Sequence, residues 1–228
     1  MTTTWYDELG VFDLETTGID VETSRIVSAT VAVIDADGVV RERTDWLADP
    51  GVEIPAQASA VHGITTERAR AEGRMAAEVV AEIVASLSSL LERGVAVTVY
   101  NASYDLTLLN REARRHGIAP LDSPAPIIDP LVMDKAVDRY RKGKRTLEFA
   151  ARFYGVELLD AHDAGADAIA AGRVAQAIAR RYPERLGADV NELHELQVGW
   201  CAEQAASFQE YMRRSRPDFT ASGAWPER

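Results

Sequence analysis

Leu9-Gly10-Val11-Phe12-Asp13-Leu14-Glu15-Thr16-Thr17-Gly18 is the stretch on which the fold turns. Its first half, Leu9 to Leu14, is short and mostly apolar and reads as a strand. Its second half changes to acids, hydroxyls and a glycine. Successive strand side chains alternate between faces, so Asp13 and Glu15 point the same way. Two like charges held together repel, and one tends to take up a proton. A divalent cation removes that conflict. Exposure of both groups at a solvated strand end removes it too.

Working outward, Ile26 to Ile34 is long and rich in β-branched residues, and Asp35-Ala36-Asp37-Gly38 is a turn signal. Val39 to Leu47 then reads as a return strand, making an antiparallel hairpin beside the first strand. From Met75 to Leu91 apolar residues recur at three and four, as on one helix face. Val95 to Tyr100 is a buried-type strand, followed by a helix over Tyr104 to His116. Ile127-Ile128-Asp129 is a short strand. Helices follow over Pro130 to Arg139, Thr146 to Tyr154 and Ala166 to Tyr182. This order predicts an α/β domain with a mixed sheet whose second half is parallel.

Pro183 to Gly187 breaks the chain, so residues 1–182 are read as the domain and 183–228 as a helical extension and tail. Asp189 is placed to cap a last helix, Val190 to Arg214. Leu193, Leu196, Trp200, Gln204, Phe208, Tyr211 and Met212 lie near one face of it. A helix that long needs a partner surface, on this domain or on a second subunit. Pro217 to Arg228 reads as poorly ordered, with Trp225 as its one anchor.

Two further clusters accompany the acidic pair. Asn101-Ala102-Ser103-Tyr104-Asp105 follows a strand and opens a helix, the place where α/β proteins bind ligands. Capping by Asn101 or Ser103, with Asp105 favoured by the helix dipole, explains the same residues. In His162-Asp163-Ala164-Gly165-Ala166-Asp167, a loop-to-helix transition at Gly165 puts His162 on the loop and Asp167 in the first turn, both facing the sheet end. A plain Asp163 cap beside an exposed His162 is the competing reading.

Together the three clusters resemble, in order and spacing, the DEDDh branch of the DnaQ-like 3′–5′ exonucleases, the family of the proofreading epsilon subunit of DNA polymerase III. Phe12-Asp13-Leu14-Glu15-Thr16-Thr17-Gly18, Asn101-x-x-Tyr104-Asp105 and His162-x-Ala164-x-x-Asp167 match its motifs, and Val61-His62-Gly63-Ile64 matches its His-Gly-Ile segment. The resemblance covers residues 8 to 182. It implies a ribonuclease H-like fold with a five-stranded mixed sheet. It also implies hydrolysis at a 3′ end that releases nucleoside 5′-monophosphates. Two Mg²⁺ or Mn²⁺ ions are implied, with Asp13 on both, Glu15 and Asp167 on one and Asp105 on the second. His162 would be the general base, since an imidazole titrates near neutral pH. Thr16, Thr17, His62 and Asn101 would line the terminal-nucleotide pocket.

Composition limits the partner. The 228 residues carry 25 Lys+Arg against 36 Asp+Glu, a net charge of −11, which excludes a basic protein that coats DNA. The dense positive stretch, Arg139-Tyr140-Arg141-Lys142-Gly143-Lys144-Arg145, has five basic residues in seven. Arg141, Lys142 and Lys144 are candidates for gripping an incoming strand, with a solvated loop as the alternative. The expected substrate is the 3′ end of single-stranded DNA, with RNA the nearest rival, as in ribonuclease T or oligoribonuclease. A non-catalytic module docked on a polymerase is the reading from another class. Proofreading would require a polymerase subunit in trans. The single cysteine, Cys201, allows no intrachain disulfide. The absence of a leader-like N-terminus and of a membrane-length apolar run gives the expectation of a cytoplasmic protein without membrane contact.

Overall fold

The computed structural model describes residues 4–158, 162–187 and 189–228. Met1 to Thr3, part of the stretch read above for a leader, lie outside the described residues. Strand β1 (Glu8–Thr16) runs antiparallel to β2 (Ile26–Asp35), and β2 antiparallel to β3 (Val40–Asp49). Helices α1 (Ala56–His62) and α2 (Thr66–Glu72) follow, then β4 (Arg74–Met75) and α3 (Ala76–Glu92). Strand β5 (Val97–Thr98) leads into α4 (Ala102–Arg115), and β6 (Ile127–Ile128) into α5 (Pro130–Val137). The chain ends in α6 (Leu147–Tyr154), α7 (Ala164–Arg181), α8 (Pro183–Leu186) and α9 (Val190–Arg213).

The sheet order is β4-β3-β2-β1-β5-β6, with β5 parallel to β1 and β6 parallel to β5. The mixed α/β architecture is as expected, but the sheet has six strands where five are implied by the family resemblance. The extra strand, β4, is two exposed residues paired with Ala48 and Asp49. Two residues are too few to show a period of two. Helix α1 is equally unreadable in sequence, since it buries none of its residues and has no apolar stripe.

Alternation along β1 decides where the acids go. Phe12 and Leu14 pack into the core beneath α3 and α4. Leu9 and Val11 pack into the other core, with Ala168, Val174 and Ala175 of α7. Asp13 and Glu15 continue the α7 side. Helix α7 approaches closely because its inner face is small: Ala168, Ala171, Gly172 and Ala175 are all buried. A Cβ at Gly172 would meet Val11 at 2.5 Å and Ile34 at 2.6 Å.

Helix α9 is tied into the sheet edge by polar side chains that its apolar spacing does not single out. The Ile127 amide donates to His194 Nδ1 at 3.1 Å, and the Asp129 amide to Gln197 Oε1 at 2.7 Å. Gln197 Nε2 donates back to the Ile127 carbonyl at 3.0 Å. These bonds satisfy an edge strand that has no further strand beside it. The predicted Asp189 cap is present, accepting from the amides of Asn191 and Glu192. The predicted apolar face is only partly used, because Leu193 is buried while Leu196, Phe208 and Tyr211 stand exposed.

Trp225 anchors the tail as expected, but it is not the one anchor, which corrects the expected disorder of the residues after it. Trp225 is buried, Asn110 donates to Glu227 at 2.8 Å, and the Arg228 amide donates to Thr107 Oγ1 at 2.9 Å. Residues 225–228 therefore lie against α4. Among the described residues, no helix is long and apolar enough to cross a membrane.

Candidate active site

Asp13, Glu15 and Asp167 each offer a carboxylate oxygen, and these atoms lie within 4.8 Å of one another. Two come from the end of β1 and the third from the first turn of α7, where Asp163 caps the helix by accepting from the Ala166 amide. The loop-to-helix reading and the cap reading of this segment are thus both correct. Burial raises all three carboxyl pKa values; repulsion within the trio adds to it at Asp13 and Glu15, while at Asp167 the His162 amide pulls the other way. Glu15 is pushed up to about 8 and Asp13 lies well above the carboxylate range.

Asp105, in the first turn of α4, lies outside that trio but is the strongest charged neighbour of Asp13. It is itself buried and raised by desolvation, against the pull of the amides of Asp105 and Leu14. All four acids line one cleft of about 650 Å³ together with His162. His162 sits at φ 72°, a left-handed conformation uncommon for a non-glycine residue. Its amide donates to Asp167 Oδ2 at 3.2 Å. The other oxygen, Asp167 Oδ1, is buried with no hydrogen-bond partner among the described residues.

That orphaned oxygen is a direct test of whether a cation fits. A buried acceptor without a donor is costly, and here it belongs to a cluster of mutually repelling carboxylates. Oxygen donors without thiols suit hard divalent ions. Asp13, Glu15 and Asp167 therefore fit a divalent metal.

The nucleotide-pocket candidates divide. The Tyr104 hydroxyl donates to the Gly18 carbonyl at 2.5 Å and lies 2.8 Å from the Thr16 hydroxyl, which closes the turn after β1 against α4. His62 lines a neighbouring cavity with Glu15 and His162. Its Nδ1 accepts from the Ile64 amide, its Nε2 is buried without a hydrogen-bond partner among the described residues, and burial lowers its pKa. Thr17 is buried, its hydroxyl accepting from the Arg25 amide at 2.9 Å, so that group serves the loop. Asn101 is exposed in a left-handed conformation at the start of α4 and makes no side-chain cap.

The helix-capping group is Asp129. Its Oδ1 accepts from the amides of Asn101 at 3.0 Å and Leu131 at 2.9 Å. Its Oδ2 accepts from the amide of Ala102 at 2.9 Å and from Trp225 Nε1 at 3.4 Å. One carboxylate thus caps α4 and α5 together. Its position just before Pro130 signals the second cap; nothing local signals the first.

The basic stretch is the main revision. Arg141 and Arg145 are turned inward on the buried carboxylate of Asp134, at 2.5 and 2.8 Å. The Arg141 side chain is only 7% exposed, so it is not presented to a strand. Lys142 is exposed, and Lys144 lines the acidic cleft. Lys135 of α5 lines it too, a residue that no motif or charge run marks in the sequence.

The exonuclease family model of RNase_T type matches residues 11–175. The chain belongs to this exonuclease family. It is 29% identical over 163 residues to the DNA polymerase III epsilon subunit of Treponema pallidum, covering 69% of each chain. It is 28% identical over 190 residues to the PolC-type DNA polymerase III of Lacticaseibacillus paracasei, covering 82% of this chain and 12% of that one. The chain therefore spans about an eighth of the PolC-type relatives it matches. Its fold is that of E. coli exonuclease I, solved with a dT13 oligonucleotide: TM-score 0.66, 21% identity, 78% of this chain and 42% of the other.

Proposed function

We propose that this exonuclease is divalent-metal-dependent and removes nucleoside 5′-monophosphates from the 3′ end of single-stranded or frayed DNA. The observation that carries the reading is the carboxylate trio with its orphaned Asp167 oxygen, beside His162 in one cleft. Asp13, Glu15 and Asp167 would hold the metal, with Asp105 completing a second position. Mg²⁺ or Mn²⁺, as a pair, is the cofactor these ligands favour. When bound, such ions neutralise the phosphodiester and favour ionisation of the attacking water.

The chain's own residues supply the rest. His162 takes the proton of the attacking water. The Thr16–Tyr104–Gly18 closure and His62 bound the space where the terminal nucleotide sits. Lys142 and Lys144 meet the phosphates. DNA is favoured over RNA because the relatives named above are DNA polymerase III proteins. Proofreading follows if a polymerase subunit is supplied in trans.

The test is incubation of the full chain with 5′-labelled single-stranded DNA, duplex DNA mispaired at its 3′ end, and RNA, with and without Mg²⁺ or Mn²⁺, beside Asp13→Ala. A metal-dependent ladder shortening from the 3′ end, fastest on DNA and absent in Asp13→Ala, is expected. RNA as the faster substrate overturns the sugar assignment. No cleavage of any substrate overturns the enzyme reading.

A further inference from the structure

We infer that the groove between α5, the basic loop and α9 is the path of the single strand upstream of its 3′ terminus. This rests on the exonuclease reading and extends it: the protein grips several nucleotides beyond the one it removes. The groove is a cavity of about 880 Å³. Lys135 and Arg145 line both it and the catalytic cleft, so one begins where the other ends.

Its chemistry is that of a stacking platform. Among the described residues four aromatic side chains stand exposed: Tyr140, Phe153, Phe208 and Tyr211. Three of them line this groove, Tyr140 at 87%, Phe208 at 51% and Tyr211 at 64% exposure. Trp200 lies on the same face of α9, so the aromatic positions span ~16 Å of helix from Trp200 to Tyr211. Exposed rings in water are unfavourable, and bases stack on them without regard to sequence.

The cations are placed to match. Lys135, Arg139 and Arg185 line the groove against the acids Asp138 and Glu203. This local excess of positive charge lies in a chain of net charge −11. Arg145 is committed to Asp134 and counts as wall. The walls are held in place. Gln204 donates to the Val132 carbonyl at 3.0 Å, Arg185 to the Ala136 carbonyl at 3.3 Å, and Phe208 packs edge-to-face on Phe219. The α9 wall lies beyond residues 11–175, the span that the family model matches. Rings interleaved with cations and continuity with the cleft both favour a nucleic-acid strand over a protein partner.

The experiment uses the full chain and oligo-dT of two to fifteen nucleotides. Binding is read in EDTA by fluorescence anisotropy, and kcat/KM in Mg²⁺ as the ratio of fifteen-mer to dinucleotide. For the native chain, affinity and the kcat/KM ratio should both rise with length. Tyr140→Ala, Phe208→Ala and Tyr211→Ala should each weaken fifteen-mer binding by about tenfold and lower the ratio. Tyr211→Trp should restore it. Tyr140 stands on a loop, 87% exposed, so its variant is not a test of folding. Length-independent binding, or three variants that bind the fifteen-mer like the native chain, overturns the strand path and leaves α9 to a protein partner. Length-dependent, aromatic-dependent binding without any hydrolysis would retain the groove while the exonuclease reading fails.

Discussion

Asp13 on the central strand and Asp167 in the first turn of α7 bring carboxylate oxygens to within 4.8 Å of one another, and Glu15 shares the cluster. Burial is the largest cause of the raised pKa of each, and neighbouring acids add to it. The fold thus holds together charges that repel, a cost that a bound cation turns into affinity.

Stability should therefore depend on pH in a definite direction. Glu15 has a folded pKa of about 8 against an ordinary 4.5. Between those values the folded chain keeps a proton that the unfolded chain has lost, so metal-free stability falls as pH rises through this window and levels off above it. Mn²⁺ or Mg²⁺ must displace those protons. The rise in Tm on adding metal should be larger at pH 8.5 than at pH 6 by scanning fluorimetry, and absent in Asp13→Ala. Equal shifts at both pH values would contradict this.

His162→Ala should lower kcat by about 10²–10⁴-fold with little change in KM, the signature of a lost general base. Equal losses in turnover and substrate binding would instead assign His162 to holding the substrate.

Asp129→Ala should destabilise the fold by on the order of 3 kcal/mol, measured by urea unfolding. It removes two helix caps at once and strands buried amides. Asp129→Asn, which keeps one acceptor oxygen, should cost less.

Asp134 accepts from Arg141, Arg145 and the Tyr154 hydroxyl. Burial raises its pKa, but these three partners outweigh burial and leave it lowered. Asp134→Ala strands two largely buried guanidinium groups and should cost about 3–5 kcal/mol in the same assay.

Replacing Lys142 and Lys144 by Gln should weaken oligonucleotide binding at low salt and reduce the slope of log K against log salt by about 1.4, two single-strand contacts' worth. An unchanged slope would make these lysines ordinary solvated side chains. Arg141→Gln belongs instead with Asp134, and its main effect should be on unfolding.

Most of the domain is legible in the sequence, because its signals are local. β-branched runs, three-and-four spacing and turn residues place the hairpin, α3, α4 and α7 to within a few residues. The elements that leave no such signal, α1 and β4, bury little or nothing, so no apolar period records them. The exposed side chains along α9 escape sequence reading for a related reason. Periodicity identifies a face, but His194 and Gln197 hold the helix by hydrogen bonds to an edge strand that is distant in sequence.

The site divides the same way. The residue types at Asp13, Glu15, Asp105, His162 and Asp167, and the same-face projection of the first two, follow from sequence and from the alternation of a strand. Their convergence does not. It needs α7 to lie close on β1, which the Ala and Gly face of the helix allows once Val11 and Ile34 are opposite it. Tertiary packing also decided that Arg141 turns inward, because Asp134 is buried beside it and a buried carboxylate demands partners. Sequence alone determined which chemistry the chain carries. The tertiary structure determined which charges face one another, because electrostatic energy depends on distance and burial, and neither is written in the order of residues.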